Sequence, residues 1–462
     1  MTWFTFFHRS QEKIPLIGYN RIEKNVAYCI AAVVIACQLS FLGGISQGYS
    51  AILLAQLEKP DSPLQINEEQ ASWIASLGTI CRPIGALAEG YMVDKYGRKT
   101  TMQIVTLLIS ISWILTYFSR DIVMLYVSRI LLSFALGMVI CVGLYIAEIS
   151  RPTERGTLLS LITPLTIGGT LFVYTLGYLL NWKVVALILF IYCIVVFGVM
   201  YWIPDSYIWY MLNSEKLKAT QSLLWLRRNS NEVEDEIKEA EDRIRKIQIK
   251  VNYMENFRDP AVWKPFLILV IFSIFQQQVG YNIITYYAVD FFSTFESAYD
   301  ANLLSIIFAA ISTIGSLLLM TIVHKFNRKT LLAISGLGMT ISILIGAISL
   351  SVGNTNPDIT VLSVFVYILF CMCGMIDIPW MMVGEMFPTS VRGTMCANVT
   401  VVIFIVTFFN VKSYPYLNTW LGVSGLFWYF AIFSFLTVLF SYKYFPETRN
   451  KSLFDIEEQF RK

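Results

Sequence analysis

Long apolar runs separated by short polar breaks dominate the chain. Runs of roughly 20 apolar residues suit helices that cross a bilayer. They fall at about 26–54, 71–93, 100–118, 122–149, 157–180, 184–203, 263–288, 301–323, 330–352, 360–386, 394–416 and 425–445. Several contain Gly or Pro, which is ordinary in membrane helices. One long segment, 204–262, is polar and dense in both signs of charge. Within it Val233, Ile237, Ala240, Ile244, Ile247 and Val251 recur at helical spacing, which predicts an amphipathic helix. A disordered tether is the other reading of that segment.

The pattern predicts an all-α membrane protein of twelve transmembrane helices in two pseudo-symmetric six-helix bundles. Residues 1–25 form an N-terminal segment and 26–203 the first bundle. Residues 204–262 are a linker with short helices, 263–445 the second bundle, and 446–462 a tail.

Three charged motifs support the division, because each occurs twice in the same order, roughly 230–240 residues apart. Asp94-Lys-Tyr-Gly-Arg98-Lys99 returns as His324-Lys-Phe-Asn-Arg328-Lys329. Glu148, followed by Arg155-Gly156, returns as Glu385 with Arg392-Gly393. Pro204-Asp205-Ser206 returns as Pro446-Glu447-Thr448. Duplicated halves with matching charged loops are a mark of membrane transporters. Asp94, Arg98, Glu148, Arg155, Asp205, Arg328, Glu385, Arg392 and Glu447 are expected to form a network of charge-assisted bonds at the inner mouth. The network would hold when that mouth is shut and break when it opens. On a wet face each pair is expected to be weak.

Composition sharpens the class. Hydrophobic residues make up 56% of the chain and charged residues 15%, with a mean hydropathy of +0.60. Soluble chains carry nearer ~25% charged residues. The net charge of +3 is small, but its distribution orients the chain. With both termini cytoplasmic, the outer loops hold only Lys59, Arg120 and Lys183 as basic residues. They carry the acids Glu58, Asp61, Glu68, Glu69, Asp290, Glu296, Asp300 and Asp358, as the positive-inside bias requires. The first 25 residues mix polar, aromatic and basic positions, so no secretory signal peptide is expected. Sequons at Asn398 and Asn450 fall in a span and in the inner tail, so neither should be glycosylated.

Eight cysteines lie inside apolar runs and read as small packing residues, not as a disulfide framework. His8 and His324 are the two histidines, which leaves no basis for a His-centred metal or catalytic site. No Walker-type loop is present, so ATP drive is not expected. No cofactor, enzyme chemistry or nucleic-acid binding is expected. The partners implied are a small substrate and membrane lipid, with the monomer as the working unit.

The ordered charged motifs make the chain resemble the sugar porter family of the major facilitator superfamily over nearly its whole length. Asp94 to Lys99 looks like that family's loop between spans two and three. Arg129 matches the arginine of span four. Glu148 with Arg155-Gly156, and Glu385 with Arg392-Gly393, match its paired loops. Pro446-Glu-Thr-Arg-Asn-Lys-Ser-Leu453 resembles its closing signature. Asp61-Ser-Pro-Leu and Gln70-Ala-Ser-Trp-Ile-Ala-Ser-Leu77 are similar to its insect branch of facilitated trehalose transporters.

The resemblance implies a sugar site at Gln276, Gln277 and Asn282, followed by Tyr286 and Tyr287. Amides suit sugar hydroxyls because both partners donate and accept without a charge to desolvate. A straight helix would pair Asn282 with Gln278, so Gly280 must permit a bend or the assignment shifts by one or two residues. Trp380 of span ten matches an aromatic that stacks on a sugar face, and Pro379 is expected to hinge that span. The family positions Thr163, Ser312 and Phe404 complete the expected substrate site.

Thr163, Ser312 and Ile403-Phe404 stand where the family carries amides or an Asn-Trp pair. Asp377 stands where a proline is expected. It is a possible proton site, or it caps a broken helix or pairs with a base. Arg82 and Glu89 lie on one face of span two, where a plain porter is apolar. The expected function is facilitative uniport of trehalose or a hexose across the plasma membrane by alternating access. Span one has no acid, which favours facilitation. A proton–sugar symporter using Asp377 or Glu89, and a non-transporting sugar sensor, remain as alternatives.

Overall fold

The computed structural model describes residues 19–59, 62, 64–151, 154–247, 259–295, 297–323, 325–352, 357–387, 392–447 and 458–461. Within some helices, the side chains of 19–26, 243–247, Asn231, Gly384, Glu385, Arg392 and Gly393 also lie outside the described set. So do His324, Asp61, Glu296, Val251 and the segment 448–457 of the closing signature.

Ten helices among the described residues are long and apolar enough to cross a membrane. One of them, Thr394–Tyr444, runs 51 residues. At 1.5 Å per residue that is roughly 75 Å, more than twice the hydrocarbon core. Gly422 divides it, at φ 64° and ψ 175°. The eleventh and twelfth spans are therefore two crossings separated at this glycine, without the polar break the sequence pattern suggested.

A further crossing is made of two pieces. Glu68–Ile80 and Arg82–Tyr96 meet at Cys81, and neither is 18 residues long. The reading of 71–93 as one helix is corrected here. Pro83 lacks an N–H and its ring disfavours the carbonyl four residues back, so the ladder cannot run through. The Cys81 N–H bonds Thr79 O instead. With these two divisions the fold has twelve spans.

Helix starts carry the expected caps. Asn67 and Gln70 form a reciprocal capping box, at 2.8 and 3.0 Å. Asp121, Asp259 and Asp300 accept from backbone N–H groups at the starts of the fourth, seventh and eighth spans.

Other spans are broken too, the fourth by a 3-10 turn at Met138–Ile140. The seventh is Pro260–Gln278, then Tyr281–Tyr286, then Ala288–Ser293. The tenth is Pro357–Phe370, a π-helical turn at Cys371–Met375, then Asp377–Glu385. Pro379 is thus not the hinge. It lies in the first turn of the last piece, where a missing N–H leaves no bond unmade, and the π turn takes up the bend. The fifth span begins Arg155–Leu159 and continues as Ile162–Leu179.

Within the first half, spans one and five pack with their backbones in contact. A Cβ on Gly44 would strike Thr166 O, and one on Gly169 would strike Phe41 O. Thr170 Oγ1 donates to Gly44 O at 3.0 Å across the same seam. Small residues at such seams let membrane helices approach closely enough for dispersion to hold them.

Between the halves, span one meets the last two pieces of span seven, span two meets span eleven, and span five meets span eight. Lys412 Nζ sits 4.0 Å from the centroid of the Trp73 ring. Tyr174 donates to Thr285 O at 2.6 Å.

The polar segment folds as Tyr207–Leu212, Lys216–Arg227 and Ser230–Ile247. Val233 and Ile237 are buried against Ala219, Leu223 and Tyr210, as helical spacing predicts. Arg227 is 2% exposed, donates to Ile149 O at 3.0 Å and bonds Glu236 at 2.8 Å. A cation at the last carbonyls of span four satisfies its C-terminus. Arg151 clamps Glu232 at 2.8 and 3.1 Å. Residues 207–247 are thereby bound to the first half rather than loosely tethered. At the other terminus, Arg461 pairs with Asp259 at 2.9 Å, where span seven begins.

Candidate functional site

Two regions carry chemistry: the end bearing Arg98, Lys99, Arg328 and Lys329, called the basic end below, and the middle of the bundle.

At the basic end the sequence repeat is a structural repeat. The Asp205 carboxylate accepts from the backbone N–H groups of Arg98 (3.0 Å), Lys99 (3.2 Å) and Ser206 (2.7 Å). In the second half, Glu447 accepts from the N–H groups of Arg328 (3.1 Å) and Lys329 (3.2 Å). Each acid thus reaches back to close the free N-terminal donors of an earlier helix, Arg98–Phe118 or Arg328–Ser351, where the helix dipole favours negative charge. Burial pushes the Asp205 carboxyl above its ordinary range, and these three N–H donors draw it back. The lysines match as well: Lys99 donates to Tyr201 O at 3.1 Å and Lys329 to Tyr442 O at 3.3 Å.

Arg98 Nη2 meets Glu148 Oε1 at 2.7 Å, with the two side chains 8% and 15% exposed. The pair is mostly withdrawn from water, so the expectation of a weak pair on a wet face is corrected. Asp94 is exposed and takes part through its carbonyl, which accepts from Trp209 Nε1 at 2.8 Å. Arg155 has a buried Nε without a hydrogen-bond partner. Arg328 also donates to Val323 O at 2.6 Å. The side chains of Glu385 and Arg392 lie outside the described residues. The described bonds each join helices of one half, so they staple each half rather than tying the two together.

In the middle, the break of span seven organises the amides. The first helix stops at Gln278, Gly280 adopts φ 96°, and a new helix starts at Tyr281. The bend brings Asn282 Nδ2 to Gln277 Oε1 at 2.6 Å. Gln276 is 6% exposed and donates to Met375 O at 2.8 Å, within the π turn of span ten. Gln278 turns away and accepts from Asn410 (3.0 Å) and Tyr429 (2.7 Å) in the last two spans. Three consecutive amides therefore have three directions, and of the predicted site amides Gln277 pairs with Asn282 while Gln276 turns to span ten.

The remaining predicted site residues scatter. Ser312 is 1% exposed and donates to Phe308 O of its own helix at 2.7 Å. Tyr287 is buried against Tyr414, ring centroids 4.6 Å apart. Trp380 is 43% exposed. The Thr163 hydroxyl of span five faces the Asp377 carboxyl of span ten, across the two halves. Asp377 opens the helical piece Asp377–Glu385.

Two arginines matter more than the sequence reading allowed. Arg82 Nη2 donates to the Tyr286 hydroxyl at 2.9 Å, and its guanidinium lies 5.8 Å from the Phe404 ring centroid. This joins span two to spans seven and eleven. Arg129 is 2% exposed and stacks 5.1 Å from the Tyr49 ring centroid. The sequence offers Arg129 as the arginine of span four and Arg82 as a charge on one face of span two with Glu89. It could not say that they converge.

Comparison with known proteins adds the relatives. The profile of the family described as "Sugar (and other) transporter" matches residues 28–460. The chain is 27% identical to the facilitated trehalose transporter Tret1 of Culex quinquefasciatus, covering 95% of this chain and 87% of that protein. It is 28% identical to that of Apis mellifera ligustica, covering 93% and 88%. Among solved structures it is similar to the proton:xylose symporter XylE bound to 6-bromo-6-deoxy-D-glucose, with a TM-score of 0.79 at 22% identity. The match covers 94% of this chain and 100% of that one. An inward-open form of XylE from E. coli also gives 0.79, at 21% identity over 93% and 99%. At such identities the structures speak to the fold alone, which is that of the major facilitator transporters.

Proposed function

The chain belongs to the Sugar (and other) transporter family, and from that premise we propose that it carries trehalose or a hexose passively across the plasma membrane. It is a multi-pass membrane protein and a transporter, not an enzyme. Its basic end faces the cytoplasm under the positive-inside bias, with both termini there, and the monomer is the working unit. The observation that carries the reading is the Gln277–Asn282 pair at the break of span seven. It presents donors and acceptors where the helix ladder is interrupted, which is where carrier folds place their substrates. Facilitation is favoured because span one contains no acid between Ala27 and Leu57.

Expression in oocytes with radiolabelled trehalose and glucose tests this. Gln277→Ala at equal surface expression is expected to lower uptake about 5- to 30-fold. The corresponding loss is about 1–2 kcal/mol for a neutral hydrogen-bond partner. Unchanged uptake in both Gln277→Ala and Asn282→Ala would remove this pair from the substrate path.

A proton-coupled reading is motivated by Asp377, which is 8% exposed and faces Thr163 across the halves. A facilitator needs no titrating group there. Asp377→Asn keeps the hydrogen-bonding shape but cannot carry a proton, so it is expected to retain uptake with a flat pH profile. A sugar-evoked inward current at acidic pH, abolished by Asp377→Asn, would establish the coupled mechanism instead.

A further inference from the structure

We propose that the interface between the two halves holds a site for an anionic group, lodged between the guanidinium groups of Arg82 and Arg129 and facing the Tyr286 hydroxyl. The inference rests on the reading of this interface as the transport site, and it adds a charge requirement to it.

Arg129 Nη1 and Nη2 are both buried without a hydrogen-bond partner, in a side chain only 2% exposed. The Tyr49 ring beneath it accounts for one face of the guanidinium, not for the edge, where the donors lie. Arg82 is 7% exposed and donates to the Tyr286 hydroxyl from span two at 2.9 Å. Spans two and four pack closely here: Cys81 N–H donates to Ser133 Oγ at 3.0 Å, and a Cβ on Gly137 would strike Arg82 O.

Among the described residues, neither guanidinium has a carboxylate within ion-pair distance. The nearest acid along the helix, Glu89, lies seven positions beyond Arg82. Its Oε1 is buried and also without a partner, so it is not answering either arginine. Asp377 is directed at Thr163. The first half therefore brings two positive charges to the interface and no compensating negative one.

Arginine does not shed its proton at any ordinary pH, so it cannot relieve its burial by becoming neutral as a lysine would. A buried cation at membrane depth is retained where something pairs with it. The Arg129 edge, with Nη1 and Nη2 both unpartnered, is a planar fork that matches a carboxylate or a phosphoryl group through two parallel bonds, whereas Arg82 already spends Nε on Gly78 O and Nη2 on Tyr286 and adds its charge. Tyr286 supplies a third donor: its oxygen accepts from Arg82, which leaves its own proton free to point at an acceptor.

The arginines belong to the first half and Tyr286 to the second. An anion seated among them would bridge the halves, and its arrival or departure would bear on alternating access.

The anionic group has two sources. It is a carboxylate on the transported sugar, as in a hexuronate, or a free inorganic anion bound beside a neutral sugar. Purified protein in a buffer whose only anion is a bulky sulfonate separates them by thermal shift. Glucuronate, chloride and glucose are titrated in turn. A rise in unfolding temperature with glucuronate but not chloride assigns the site to the substrate's carboxylate. A rise with chloride assigns it to a free anion.

Arg129→Met is expected to weaken whichever shift is seen at least tenfold while leaving any glucose shift in place. Tyr286→Phe should weaken it by less. If Arg129→Met does not fold, Arg82→Met gives the same readout. Absence of any shift with both anions overturns the proposal, as does an undiminished shift in both arginine variants.

Uptake of neutral sugar is measured separately. Uptake with no anion effect sinks this inference and leaves the sugar-carrier reading intact. An anion shift without any neutral-sugar or uronate uptake does the reverse.

Discussion

Arg98→Ala is expected to destabilise the folded protein by about 3–5 kcal/mol, the usual cost of removing one partner from a buried ion pair. Glu148 would remain with its side chain only 15% exposed and its 2.7 Å partner gone. The Arg98 backbone N–H would still bond Asp205, so the helix start survives, and what is lost is the pair together with the 3.3 Å bond from Arg98 Nη1 to Val93 O. The discriminating variant is the double change Arg98→Met with Glu148→Leu. Removing both charges removes the desolvation penalty along with the attraction, so most of the lost stability should return. Thermal unfolding of detergent-purified protein, followed by tryptophan fluorescence, reads both. If the double variant is as unstable as the single one, the pair is not what holds spans three and four together.

Gly280→Val is expected to cost about 2–5 kcal/mol and to abolish uptake. Two penalties add. A left-handed backbone with a Cβ costs roughly 1–2 kcal/mol. Overpacking costs about 1–3 kcal/mol more, because the added carbon would run into the Phe430 ring. The functional loss follows from geometry. The turn at φ 96° brings Asn282 to Gln277, and Tyr367 donates to Val279 O at the same break. A valine that straightens span seven separates the amide pair. Gly280→Ala should show the backbone penalty with less of the collision, and so fall between the two. Equal uptake and melting behaviour for Gly280→Val and the parent would mean that the bend is not required.

The twelve spans and the duplication were legible in the chain because both depend on local pattern. Apolar run length sets a crossing, and the paired charged motifs mark corresponding positions in the halves. The acids at the basic end followed from the same repeat: Asp205 and Glu447 perform one task at equivalent helix starts. The amides around Gly280 leave two readings, a bend there or an assignment shifted by one or two residues, and the backbone at φ 96° is the bend. The amphipathic spacing of Val233 and Ile237 likewise foretold their burial.

What the tertiary structure decided is which polar groups answer which. In a membrane each buried donor or acceptor must find a partner inside the protein, and those partners come from spans far away in sequence. Gln276, Gln277 and Gln278 are chemically identical neighbours, yet one bonds span ten, one bonds Asn282, and one bonds the last two spans. The hinge of span ten falls at Cys371–Met375 and not at Pro379, because a proline in a first helical turn breaks nothing. Arg82 and Arg129, 47 positions apart, read separately in the sequence, one beside Glu89 on a face of span two and the other as the arginine of span four. Only the packing of the spans sets Arg82 on Tyr286 and Arg129 on Tyr49, because electrostatic partnership depends on distance in space, and run length and periodicity carry no such distance.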